Sequence, residues 1–377
     1  MNRHKHIKEP ENREETTMIR LLSAFVIALA MAAGPARAEP KEINLTVASS
    51  HPLVVPWVGF IKSVFMAEVD AKLAQAGNYK INWNEAFGGQ LYKANATLTS
   101  VEEGITDIGW VFSYLEGAKM PLSQVAAYTP FTTNDVPRLL DTMTELMDAV
   151  PAFRKEWEQY NLVFLGATAA DDYDLYTNFP VTKLSDLDGR KISAPGVLAA
   201  WLRGMNVTAV NGALTTYYTD IQTGVSEGTL SIALGILPTK TYEVAPYITR
   251  VNAGVVFSGG LAINRDSWNK LPEEVQKAMV EAGRTYSQKH AVNLMERHEF
   301  ALDKMVEIGR DQNPPVTITP LSAEERRKWV DGLPIIAKDW ADAAEAKGLP
   351  GREFLKAYLA GLKARGETPG RDWEQGL

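Results

Sequence analysis

The 377 residues contain no cysteine. A chain of this kind outside the cytosol has no disulfide to brace it and must be held by core burial alone, which suits a large fold. Histidine is scarce, five in all, and no HExxH, GxSxG or cysteine nucleophile is present. Without a nucleophile–base pair or a cluster of ligands, neither an enzyme nor a bound metal or cofactor is expected. The turn Phe87-Gly88-Gly89-Gln90-Leu91 lacks the spacing of a phosphate-binding loop. Positive charge is in deficit, with a formal net charge of −7, so nucleic acid is not an expected partner. Long apolar runs are absent as well. The most apolar stretch, Leu21 to Ala33, is too short to span a bilayer.

That stretch follows Met18-Ile19-Arg20 and precedes Ala36-Arg37-Ala38, a small-x-small site. The pattern predicts a secretory signal peptide cut after Ala38, and hence a periplasmic protein. Residues 1–17 read as an upstream extension. A retained anchor is the competing reading. Residues 367–377 read as a loose tail.

The whole chain holds 45% hydrophobic and 23% charged residues, ordinary for a globular protein, and is long enough for two cored lobes. Strands are predicted at Glu42 to Ser50, Lys80 to Trp83 and Asp107 to Phe112, with helices between. The stretch Lys183 to Ile236 repeats strand–helix alternation through glycine turns, the pattern of a parallel sheet. In such sheets ligands sit beyond the carboxyl ends of the strands. Leu271-Pro272-Glu273-Glu274 opens a helix running to about Arg310, roughly 50 Å long.

Asp186-Leu187-Asp188-Gly189-Arg190-Lys191-Ile192-Ser193-Ala194-Pro195, then Tyr217 to Gly228, together with Gly89-Gln90-Leu91 and Tyr242 to Tyr247, carry a resemblance in order and spacing. The chain resembles the solute-binding proteins of tripartite ATP-independent periplasmic (TRAP) transporters, dicarboxylate-binding type. The resemblance implies an α/β, two-lobed periplasmic binding protein fold, type II-like, with a hinge and a long helix spanning both lobes. It places lobe I at 39–170 plus 257–296 and lobe II at 171–256 plus 297–366. It implies a monomer rather than a dimer, which captures a small organic acid, aromatic or keto acids included, for the membrane subunits of a TRAP transporter. A neutral or cationic solute, an ATP-driven importer and a membrane sensor are the alternatives.

The same resemblance points to a ligand site. His51 ends the first strand. Trp110 and Phe112 share a strand face, and Tyr114 follows them. Tyr176, Pro195, Leu214, Tyr218 and Ser231 complete the neutral candidates. Ser193 and Asp174 stand where the family places carboxylate-binding arginines. Three readings follow. The acid is held elsewhere, by Lys93, Arg203 or backbone N–H groups; or the ligand is neutral or cationic and Asp174 accepts from it; or Asp174 faces away and is structural. His290 and His298, on the long helix, are expected to be exposed or capping.

Overall fold

The computed structural model describes Met1 and residues 39–377. The expected signal peptide therefore lies outside the described residues, apart from Met1. Among the described residues no helix is long and apolar enough to cross a membrane.

Two sheets organise residues 42–377. The first contains β1 (Lys41–Ala48), β2 (Tyr79–Ala86), β3 (Ile108–Phe112), β4 (Leu162–Ala170) and β10 (Val256–Asn264), in the order β2-β1-β3-β10-β4. The second contains β5 (Tyr173–Thr177), β6 (Lys191–Ala194), β7 (Thr208–Asn211), β8 (Gly228–Ile232), β9 (Tyr247–Arg250) and β11 (Thr317–Pro320), in the order β11-β9-β5-β8-β6-β7. The parallel expectation holds for β1 with β3 and for β6 with both β7 and β8. β11 is parallel to β9 as well, whereas β10 runs antiparallel to β3 and β4, and β5 antiparallel to β8 and β9. The antiparallel strands are those where the chain passes between sheets. It crosses between β4 and β5, returns between β9 and β10, and passes over again between β10 and β11.

The long helix runs Glu273–Ile308, about 54 Å at the α-helical rise. It packs against β4 of the first sheet and against Ala233–Thr239 and β11 on the second side. The approach to β4 is close. A Cβ on Gly283 would lie 2.0 Å from the Leu165 carbonyl oxygen, and one on Gly166 would lie 2.7 Å from the Gly283 carbonyl oxygen. His290 and His298 are buried, contrary to the sequence reading, because the helix is covered on this side by both sheets.

Three more expectations are corrected. The helical reading of Val136 to Gln159 divides at Val150 into Val136–Ala149 and Pro151–Glu158, since Pro151 starts a new helix. The strand expected to run to Leu234 ends at Ile232, and a helix starts at Ala233. The supposed tail is packed down. Trp373 is buried and donates to the Pro130 carbonyl oxygen at 3.1 Å, while Gly370 N donates to that of Phe131 at 2.7 Å.

Gly283 gives a direct test of the helix–sheet contact. Helix propensity alone favours alanine there by about 1 kcal/mol, whereas a Cβ against backbone costs about 1–3 kcal/mol by overpacking. Gly283→Ala is expected to lower the urea midpoint. A higher midpoint would mean that the helix does not sit on β4 in this way.

Candidate functional site

A cavity opens between the sheets, at the carboxyl ends of several strands. From the first side come His51 just past β1, Trp57, Trp110 and Phe112 on β3, Tyr114, and Ser258 on β10. From the second side come Tyr173, Pro195, Leu214, Tyr217, Ser231 and Ile232. The period-two alternation of β3 puts Trp110 and Phe112 on one face, as expected. Their rings build a wall with ring centroids at contact distance: 5.1 Å for His51 to Phe112, 5.4 Å for Trp57 to Trp110, and 5.0 Å for Phe112 to Tyr114. Tilted and edge-on packing of this kind is the favoured aromatic geometry.

The polar groups here are neutral. Trp110 Nε1 donates to Thr168 Oγ1 at 2.8 Å, and that hydroxyl lies 3.1 Å from Ser258 Oγ. The Trp57 indole N–H is buried without a partner. Burial pushes the His51 imidazole down to about 4, so it is uncharged near neutrality. The cavity encloses only about 40 Å³. A roomier groove of about 500 Å³ lies over the outside of the first sheet, between Val136–Ala149 and the long helix. It is not bounded by the second sheet, so the smaller inter-sheet cavity is the better candidate for a closing site.

Of the residues singled out from sequence, His51, Trp110, Phe112, Tyr114, Pro195, Leu214 and Ser231 line this cavity. The other six do not. Lys93 is exposed and donates to the Gly89 carbonyl oxygen at 3.0 Å; its neighbour Ala94 is at the cavity instead. Arg203 is exposed, outside the lining. Ser193 is buried off the lining, its hydroxyl unpartnered. Asp174 and Tyr176 project from the opposite face of β5 to Tyr173, and Tyr173 is the residue that lines. Tyr218 turns out toward Glu243, 3.4 Å away, and Tyr217 takes the inward place. Asp174 and Tyr176 are an odd number of residues from Tyr173, which in a strand reverses the face, and Tyr218 is one residue from Tyr217 on its helix. Trp57, Tyr173 and Tyr217 also line the cavity, although from sequence these strand-end aromatics are better expected in the core, and Ser258 joins them without a sequence signal. Alternation along β5 carried the only usable signal, for Tyr173.

Asp174 belongs to the crossings between the sheets. Its Oδ1 accepts from Val251 N at 2.6 Å and Asn252 N at 3.0 Å, and its Oδ2 lies 3.3 Å from Arg250 Nε. Asp172 Oδ1 accepts from Gly254 N at 2.8 Å. Arg326 donates to the carbonyl oxygens of Val251 and Asn252 at 3.0 and 2.9 Å. Asp171 Oδ2 pairs with His298 Nδ1 at 2.9 Å and accepts from Leu234 N at 3.2 Å. One carboxylate thus joins the first crossing, the long helix and a helix of the second side. The third sequence reading of Asp174, a structural hydrogen bond, is the one the geometry matches.

Two sheets joined by paired crossings, with a cavity enclosed by residues from both, define a two-lobed solute-binding protein. The profile of bacterial extracellular solute-binding proteins, family 7, matches residues 57–343, and the chain belongs to that family. A C4-dicarboxylate-binding periplasmic protein of Rhodobacter capsulatus is 28% identical over 177 residues, 45% of this chain and 50% of the relative. The ectoine/5-hydroxyectoine-binding periplasmic protein of Ruegeria pomeroyi is 24% identical over 250 residues, 66% and 71% of the two chains. The matched stretch spans 42%, 38% and 50% of the lengths of the first three curated relatives. Among solved structures, a marine-metagenome TRAP solute-binding protein specific for aromatic acids superposes with a TM-score of 0.73 at 18% identity, over 85% of this chain and 99% of its own. The likeness confirms the fold.

Two outcomes test the crossings. Asp174→Ala leaves two buried backbone donors unpartnered and Arg250 held by Glu299 without its second carboxylate, and is expected to cost about 3 kcal/mol of stability in denaturant unfolding. A loss below about 0.5 kcal/mol would place Asp174 outside any structural role. The second is pH dependence. Burial raises the Glu156 carboxyl to about 7. Burial, then the charge of Asp174, raises Asp172. Burial pulls His298 down, but the hydrogen bond and charge of Asp171 hold it above its ordinary value. All three bind protons more tightly folded than unfolded, so stability falls as pH rises through their folded values. His51 and His290, lowered by burial to about 4, act oppositely, but only below about pH 6.5. The thermal midpoint is therefore expected to rise from about pH 8 to about pH 6.5, by up to ~1.4 kcal/mol per unit for each group. Asp172→Asn should flatten that slope, and a midpoint that falls over this window would contradict it.

Proposed function

We propose that this chain is the extracytoplasmic receptor of a TRAP-type secondary transporter. It captures a small organic acid of single-ring size and delivers it to the membrane subunits, with no chemistry of its own. The observation that carries this reading is the aromatic cavity enclosed by residues of both sheets, with the paired crossings beside it. A solute touching both walls favours the closed arrangement, because only there are both sets of contacts made. Closure then gives the membrane subunits one shape to recognise. Of the lobes expected at 39–170 plus 257–296 and 171–256 plus 297–366, the boundaries near 170 and 256 rest on the crossings at 171–172 and 251–255, whereas the helices Ile336–Glu345 and Gly351–Ala364 are assigned to lobe I because they pack on Leu122–Tyr128 and Val136–Ala149. Export with cleavage after Ala38 completes the proposal; the mature protein would begin at Glu39.

The aromatic wall favours flat solutes, and the likeness to an aromatic-acid receptor supports the same class. A ligand that binds only the folded state raises the unfolding midpoint by mass action, about 2.7 kcal/mol at a hundredfold over Kd. A thermal-shift screen of small acids and neutral ring solutes is expected to give a saturable rise for ring compounds. Tyr114→Ala removes a half-buried wall ring, and should weaken such a ligand about tenfold, read against the variant's own unliganded midpoint. If no small solute in any class shifts the midpoint, the receptor reading fails.

A further inference from the structure

We propose that the solute is bound uncharged, as a flat neutral ring compound or as a ring acid in its protonated form. This rests on the receptor reading above and concerns the same cavity.

Among the described residues that line the cavity there is no lysine, arginine, aspartate or glutamate. The one base, His51, is held neutral by burial. The hydroxyls of Tyr173 and Tyr217 are pushed above their ordinary range, burial being the main cause, and stay protonated. What the walls offer a ligand is the unpartnered Trp57 N–H and Tyr217 hydroxyl, with the hydroxyls of Tyr114, Tyr173, Thr215, Ser231 and Ser258, all neutral.

The cations nearest in sequence are engaged or outside. Lys93 and Arg203 are exposed. Arg250 is bound to Asp174 and to Glu299, whose carboxylate oxygens lie 3.0 and 2.9 Å from its guanidinium nitrogens. The helix that starts beside the lining residue Ile232 does not offer Leu234 N to a ligand, because Asp171 Oδ2 already accepts from it. Negative charge lies close by. Asp171 and Asp172 fill the link between the lining residues Ala170 and Tyr173, and the charge of Asp171 contributes to the raised Tyr173 hydroxyl. A carboxylate placed here would lose its hydration and meet neutral donors and buried acids. Neutral hydrogen bonds do not offset that loss. An amide, a phenol or a protonated carboxyl avoids it.

If only the protonated acid binds, the apparent Kd scales inversely with its protonated fraction. The test is isothermal titration calorimetry on the exported chain with benzamide, benzoate and benzenesulfonate between about pH 5 and about pH 8. Benzamide is expected to hold its Kd within about twofold. Benzoate is expected to weaken about tenfold per pH unit, and benzenesulfonate, charged throughout, not to bind. Benzoate bound equally at both ends of the range, or any tight binding of the sulfonate, overturns the proposal. The wider solute screen separates the two readings. Hits among anions with flat pH profiles would keep the receptor and discard the uncharged ligand. The absence of any hit would remove the receptor reading, and this inference with it.

Discussion

Asp172 and Asp174 accept hydrogen bonds from backbone N–H groups of the returning crossing, and the arrangement of the two sheets depends on these contacts. Strand Tyr173–Thr177 begins within them, and Val251 to Val255 is held against it. Hydrogen bonds to charged groups are stronger than neutral ones, and leaving such groups unpaired in the interior is expensive. The crossings are therefore defined in path, although the cavity beside them closes by few direct contacts. Asp171 extends the arrangement outward, to His298 on the long helix and Leu234 N on the second side.

This arrangement reconciles a rigid frame with a site that opens. The long helix lies on β4 with glycine against glycine backbone, so it moves with the first sheet. The second sheet is tied to it through the crossings, the Asp171–His298 pair and the packing of the long helix on Ala233–Thr239 and β11. An enclosed space of about 40 Å³ is smaller than an aromatic ring needs, so occupancy and lobe separation are coupled.

The same carboxylates shape what the cavity accepts. They lie just behind its floor, while the neutral rings and hydroxyls form its surface. A site of this composition discriminates by the cost of dehydrating charge rather than by attraction to it. Recognition then falls to ring shape and a few neutral hydrogen bonds, with the Trp57 N–H and the Tyr217 hydroxyl both unpartnered.

Much of this was legible in the amino-acid sequence. Order and spacing of strands, glycine turns and the Pro272-Glu273-Glu274 helix start carried the fold, because local periodicity and capping are written within a few residues. The alternation on β3 placed Trp110 and Phe112 correctly. What depended on contacts far apart in sequence was not legible. Asp174 and Tyr176 were read one residue out of phase with Tyr173, and Tyr218 with Tyr217, since the inward face of a short element is set by its partners. Trp373 looked like part of a loose tail until the Pro130 carbonyl oxygen gave its indole a partner. His290 and His298 looked exposed until both sheets covered the helix. The sequence by itself determined the element order and the absence of arginine at two family positions. Only the tertiary structure decided that, among the described residues, no lysine or arginine lines the cavity, because which side chains share a cavity is settled by long-range packing that no local pattern encodes.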